Sequence, residues 1–332
     1  MAGWNLRKGE LKQGQVSEDK YWSLFNYVFS DGCKKRNSYK FGLIKSILDS
    51  VYGADLENGV CFISYQTLFA KFTENYWNLI VKYRLKQMRA DGKSAISKIE
   101  QIFYGKISDT PVMEAVEFSD LSDNVKNEII NSVMKSCKQY VLGALYEDME
   151  GYLYAFDLSG NGIFITENAH TFMLRYKAEL EKLNYFSWAK FLEQINDDSA
   201  LCRLLDKLEL STPRRNDLSV FRRLLEKEFE EDVCFYCGRK IKTVAHVDHF
   251  IPWSFVKEDV LWNFVLSCPE CNVRKNNRIP NSDLLIKLHK RNLTICQSSN
   301  ITEIESMYGK YDERRLEKLW EYAKLSGLKI WE

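Results

Sequence analysis

Long apolar runs are missing from this chain of 332 residues: the longest stretch without a charged side chain is the 13 residues Asn58–Ala70. A bilayer-spanning helix needs about 20 predominantly apolar residues, and Met1–Gln15 has no apolar core of the kind a secretory leader carries, so no membrane span or leader is expected. A dominant sign of charge is missing too. With 47 basic against 46 acidic residues the formal charge is +1, and any polyanion must be held by local basic clusters rather than by a global field. Internal repeats and low-complexity tracts are absent, and only 5 prolines and 4 histidines occur. What remains is an ordinary globular composition, 45% hydrophobic and 28% charged, at a length that suggests about two domains. Of the nine cysteines, five stand singly (Cys33, Cys61, Cys137, Cys202, Cys296), as expected for core or surface thiols in a reducing, cytoplasmic setting.

The other four cysteines are not scattered. Cys234-Phe235-Tyr236-Cys237 and Cys268-Pro269-Glu270-Cys271 are two CxxC pairs separated by 30 residues. Each pair fits a tight turn that aims two thiolates at one point, and two such turns supply the four sulfur ligands of a structural Zn²⁺. In a simple zinc ribbon about 15 to 20 residues lie between the pairs, so this loop houses something more. It contains His246-Val247-Asp248-His249, then Asn263, and the second pair leads directly into Asn272-Val273-Arg274-Lys275. Two of the four histidines of the chain thus fall within four residues. A hard carboxylate, amide oxygens and imidazoles in one zinc-pinned unit are what metal-assisted attack of water on a phosphodiester requires.

Through the pattern Asp-His…Asn…Asn between and after its CxxC pairs, the segment resembles the HNH (ββα-metal) endonucleases, in their zinc-bearing branch. The resemblance implies that Asp248 is a ligand of a catalytic Mg²⁺ or Mn²⁺, that Asn272 is the second protein ligand, and that His249 is the general base. Asn263 would tie down the loop between the two strands, and Cys234, Cys237, Cys268 and Cys271 would hold structural zinc. His246 lies two residues before Asp248 and shares its strand face, as an auxiliary ligand or phosphate contact. Arg274, Lys275 and Arg278 would hold flanking phosphates. One strand over Thr243–Phe250, a second segment over Phe264–Ser267 and a short helix from about Cys271 are expected. The implied activity is metal-dependent hydrolysis of DNA by a restriction-type or defence nuclease. Two alternatives stay open: a zinc-dependent DNA-binding or regulatory module without catalysis, and a nuclease active only with a protein partner or a small messenger bound to the N-terminal domain.

Outside this segment the periodicity is mostly helical. Apolar positions predict helices from Ser17 and Ser38, over Tyr65–Ala90, over Ser122–Glu147 and over Glu167–Asn196. A strand over Val60–Ile63 and a hairpin around Ser159-Gly160-Asn161-Gly162 interrupt them. On the expected Tyr65–Ala90 helix and just beyond it, Lys82, Lys86, Arg89 and Lys93 recur at helical spacing as a candidate phosphate-binding stripe. Arg214, Arg215, Arg222 and Arg223 form a second basic group, which Glu226, Glu228, Glu230 and Glu231 could neutralise. The expected fold class is α+β. Residues 1–215 read as a mainly α-helical domain with a β-hairpin that selects or senses the substrate, 216–285 as the zinc-stabilised ββα-metal module, and 286–332 as a helical extension.

Overall fold

The computed structural model describes residues 5–332 apart from 13, 15, 55, 58, 91–95, 110–115, 202, 211–217, 229–232, 243, 257–258, 299–307 and 309–310. The chain falls into two compact units, Met1–Arg214 and Arg215–Glu332, and its class is mixed α+β. No described helix is long and apolar enough to cross a membrane.

The first unit carries helices α1 (Glu18–Phe29), α2 (Tyr39–Ser50), α3 (Tyr65–Trp77), α4 (Lys98–Asp109), α5 (Asp123–Asp148), α6 (Glu167–Arg175), α7 (Lys177–Glu193), α8 (Asp198–Leu201) and α9 (Leu204–Leu210). Its strands are β1 (Lys8–Gly9), β2 (Leu56–Glu57), β3 (Val60–Ser64), β4 (Ala155–Asp157) and β5 (Gly162–Thr166), in one antiparallel sheet of order β1-β4-β5-β3-β2. Strand alternation sorts the two faces. Cys61, Ile63, Ile163 and Ile165 are buried, while Phe62 and Phe164 stay exposed with ring centroids 5.1 Å apart.

Local chemistry explains most of the element ends. Ser17 accepts the Lys20 N–H at 3.3 Å and so caps α1, as residue type and position predict. Ser38 makes no such cap; its hydroxyl bonds the Gln87 and Tyr76 side chains at 2.8 and 2.9 Å. The hairpin turn is closed by Asp157, whose carboxylate accepts from the Ser159 N–H (2.8 Å) and hydroxyl (2.5 Å), rather than by a left-handed Asn-Gly pair. Gly162 instead opens β5, where an added Cβ would lie 2.3 Å from the Ile63 carbonyl oxygen. Helix α2 is buried nearly all round, including Lys45 and Asp49, which pair with each other. Lys45 also reaches Glu181 at 3.6 Å and Lys177 meets Glu181 at 2.6 Å, so each of these buried charges has a counter-charge.

The long helix expected over Tyr65–Ala90 does not form. Helix α3 ends at Trp77, one π-helical turn covers Asn78–Lys82, and Arg84 then takes a left-handed φ of 54°, which stops helical propagation. Beyond it, Met88 bridges Asn37 in extended backbone. Lys82, Lys86 and Arg89 therefore share no helical face. Lys82 pairs with Glu117 at 2.8 Å, and the Lys86 N–H is bonded by Asn196 at 2.7 Å. Arg89 binds Gln194 and lies over the Phe191 ring. Lys93 lies outside the described residues.

The second unit contains α10 (Ser219–Glu228), β6 (His246–His249), α11 (Trp253–Val256), β7 (Phe264–Ser267), α12 (Pro269–Lys275), β8 (Ile279–Pro280), α13 (Ser282–Ser298), α14 (Glu313–Leu325) and β9 (Ile330–Trp331). Strands β6 and β7 pair antiparallel, with Asp248 opposite Val265 and His249 opposite Phe264, and β8 and β9 pair parallel. The expected boundary at 285/286 falls inside α13. That helix is bonded into the module, since Arg291 donates to the Phe264 carbonyl at 2.5 Å and Asn292 to the Trp262 carbonyl at 2.9 Å.

Candidate active site

The four cysteine sulfurs lie within 4.8 Å of one another. A Zn–S bond of about 2.3 Å in a tetrahedron gives sulfur–sulfur edges of about 3.8 Å, and Cys237 and Cys268 stand 4.0 Å apart, so the donor set fits zinc. Backbone geometry builds each turn. In the first, Cys234 donates to the Arg239 carbonyl, and Gly238, at a φ of +68°, donates to the Cys234 carbonyl, both at 2.9 Å. In the second, Cys268 is the N-cap of α12, Pro269 follows at the first helical turn, and the Cys271 N–H donates to the Cys268 sulfur at 3.5 Å. Burial pushes the Cys271 thiol up, with the neighbouring thiols adding to it; a bound cation reverses that preference. Among the described residues no other cluster of three or more His, Cys, Asp or Glu could hold a metal.

The zinc turns are fastened to the hairpin. Phe235 donates its N–H to the Leu266 carbonyl of β7 at 2.8 Å, and Lys287 of α13 donates to the Phe235 carbonyl. Between the strands, Asn263 is fully buried; its side chain accepts from the Ile251 N–H at 2.9 Å and donates to the Ile251 carbonyl at 3.0 Å. Its own carbonyl takes the Phe250 N–H at 2.7 Å. One amide thus fixes both sides of the loop that follows β6.

His246 and Asp248 project from one face of β6, and His249 from the other. Asn272 joins the first pair from α12, its side-chain nitrogen 3.4 Å from His246 Nδ1. The Asp248 carboxylate accepts from the Tyr236 hydroxyl at 2.6 Å and pairs with Lys275 Nζ at 2.9 Å. Burial, and then the Asp248 charge, hold the Tyr236 phenol well above its ordinary range, so it stays a donor. Lys275, expected on phosphates, is 1% exposed and its ammonium also donates to the His249 carbonyl at 2.7 Å. It is an internal brace beneath the site, placed there because position 275 falls on the inward face of the last turn of α12. Arg274 and Arg278, by contrast, are exposed.

His249 is held by a residue that spacing arguments did not find. Its Nε2 lies 2.9 Å from Asp259 Oδ1, with both side chains under a tenth exposed, and its ring packs edge-on to Phe264 at 4.5 Å between centroids. A carboxylate on one ring nitrogen fixes the orientation of the ring. Neither Asp259, in an irregular loop, nor Tyr236, inside the first CxxC turn, carries a periodic signal that could have pointed to it. In the second basic group, Arg222 pairs with Glu226 at 2.6 Å while Arg223 is exposed; Arg214 and Arg215 lie outside the described residues.

No curated protein and no solved structure matches the chain. Residues 234–278, the range that holds the cysteine cluster, the antiparallel β6–β7 pair and α12, match the family model described as HNH endonuclease, so the second unit carries an HNH endonuclease module of the two-CxxC kind.

Proposed function

We propose that the protein is a divalent-metal-dependent endonuclease that hydrolyses DNA phosphodiester bonds and, by analogy with other stand-alone HNH nucleases, serves restriction or defence. The observation that carries the reading is the placement of Asn272 against His246, on the strand face that also carries Asp248, above the buried Lys275 brace and with Arg274 and Arg278 exposed in and just after the same helix. Asp248 and Asn272 would hold a Mg²⁺ or Mn²⁺, which when bound supplies Lewis-acid stabilisation of the scissile phosphate and the leaving oxygen. His249, oriented by Asp259, accepts the proton of the attacking water. Arg274 and Arg278 hold the flanking phosphates and so position the strand without reading its sequence. Tyr236 and Lys275 keep the Asp248 carboxylate in one orientation, which limits reorganisation during the reaction.

Incubation of purified protein with supercoiled plasmid in Mg²⁺ and in EDTA tests this. Cleavage that needs the cation, is lost in Asp248→Ala and falls in His249→Ala supports the reading. Full zinc occupancy with DNA binding but no cleavage under any divalent cation refutes it and leaves a binding module.

A further inference from the structure

The carboxylate of Asp248 is engaged through one oxygen. The Tyr236 hydroxyl donates to its Oδ2 at 2.6 Å, and Lys275 Nζ meets the same Oδ2 at 2.9 Å. Two donors thus share Oδ2, and Oδ1 is the oxygen that Asp248 can offer a cation. Asn272 adds a neutral amide oxygen, since the atom it turns to His246 Nδ1, at 3.4 Å, is its side-chain nitrogen. Oxygen donors of this kind suit Mg²⁺ or Mn²⁺, yet two of them leave most of a six-coordinate shell to be filled. A further charged ligand does not fill it: among the described residues, no group of three or more His, Cys, Asp or Glu other than the zinc thiols could hold a metal.

Charge limits the site as much as ligand number does. The Lys275 side chain is 1% exposed and that of Asp248 13%, so the ammonium opposes the carboxylate at short range with little water to screen either. The pair carries no net charge. As ligands, an amide and an imidazole add no negative charge to it. Divalent oxygen sites set their affinity largely by how many charged ligands they hold, and here the one carboxylate is already balanced from within the chain. The missing negative charge must come from outside the protein, and a DNA phosphate supplies it together with further oxygen ligands.

Resting on the nuclease reading, we infer that Lys275 makes uptake of the divalent cation conditional on substrate: the DNA-free protein holds Mg²⁺ or Mn²⁺ weakly, and a DNA phosphate completes the site as ligand and as counter-charge. Linkage between two binding events is reciprocal, so the cation must tighten DNA by the same factor by which DNA tightens the cation. The test is a titration of the intact, zinc-loaded protein with Mn²⁺, followed by the paramagnetic resonance of the free ion, with and without a short DNA duplex. The His249→Ala background keeps the duplex from being consumed, and the duplex alone gives the ions it holds by itself. Half-saturation of the free protein at about 1 mM or above is expected, the weak end for divalent oxygen sites, with binding about 10-fold tighter or more in the complex and lost in Asp248→Asn. Lys275→Gln, which removes the charge and keeps a donor, should tighten Mn²⁺ on the free protein about 10-fold. Lys275→Met serves if the glutamine variant does not fold, and the comparison of free and DNA-bound protein needs no change at 275. The proposal alone is overturned if the free protein takes up Mn²⁺ as tightly as the complex does, or if a folded Lys275 variant binds it as the parent does. Mn²⁺ uptake that Asp248→Asn leaves unchanged in both states overturns the nuclease reading and the proposal with it.

Discussion

Replacing Lys275 with Met separates two roles that a basic residue beside an HNH motif could play. The ammonium lies between the Asp248 carboxylate at 2.9 Å and the His249 carbonyl at 2.7 Å, with 1% of the side chain exposed. Methionine keeps most of the apolar stem and removes the charge. Breaking one side of a buried ion pair costs about 3–5 kcal/mol because the remaining charge is left without compensation. Here the loss belongs near about 3 kcal/mol, since Tyr236 still donates to Asp248 at 2.6 Å. With a urea m-value of about 1.5 kcal/mol per molar, the midpoint should fall by about 2 M. Zinc release to a chromogenic chelator during the titration reports the second unit specifically. DNA binding gives the other half of the test. Each phosphate contact contributes about −0.9 to the slope of log K against log salt, so Lys275→Met should leave the slope unchanged, whereas Arg274→Gln should make it shallower without altering the midpoint. A Lys275→Met protein with the parental midpoint and a slope shallower by about 0.9 would show that the lysine reaches solvent and phosphate, and the brace would be wrong.

Asn263→Ala removes both bonds to Ile251 in a fully buried loop. At about 1–3 kcal/mol for each of the two unsatisfied buried groups, the same zinc-release titration should show a loss of about 2–6 kcal/mol. Cys237→Ala should abolish zinc binding and unfold the second unit, because structural zinc contributes on the order of 10 kcal/mol to such units; elemental analysis and protease resistance of residues 215–332 check it. His249→Ala should lower cleavage by about 10²-fold or more at unchanged zinc content. Asp259→Asn should lower kcat by a smaller factor with KM for DNA unchanged, since it acts through the histidine; a change confined to KM would place Asp259 in binding instead.

How much of this was legible depended on whether a signal was local. The CxxC turns could be placed because thiol spacing is local, and the β6–β7 pair and α12 because the resemblance carried by Asp248, Asn263 and Asn272 implies them, although α12 starts at Pro269 rather than at about Cys271. In the first unit, α1 and α5 followed from apolar periodicity, and α1 also from its Ser17 cap, which are local signals too. Most of the failures were long-range. The apolar run after Trp77 looked helical because it is buried, but the backbone leaves the helix at Arg84 to pair with Asn37. The cationic stripe disappeared with that helix. Lys275 looked like a phosphate ligand from its neighbours Arg274 and Arg278, although the rotation of one residue along α12 turns it inward. Asp259 depended on which loop residue the fold brings against His249, which no spacing encodes.

Cys268 has two places at once: it belongs to the four-thiol cluster that fits zinc and it caps the helix that carries Asn272. The four thiols are therefore unequal in the replacements they can accept. Histidine is as good a zinc donor as cysteine in many sites, yet at position 268 an imidazole would reach the metal only by withdrawing the atom that receives the Cys271 N–H. The first turn of α12, and Asn272 with it, would rotate. Cys237 is half-buried and follows the turn without capping anything. A drift of this chain from a four-cysteine to a three-cysteine, one-histidine cluster has its open route through 237, and through 268 only at the expense of the position of Asn272.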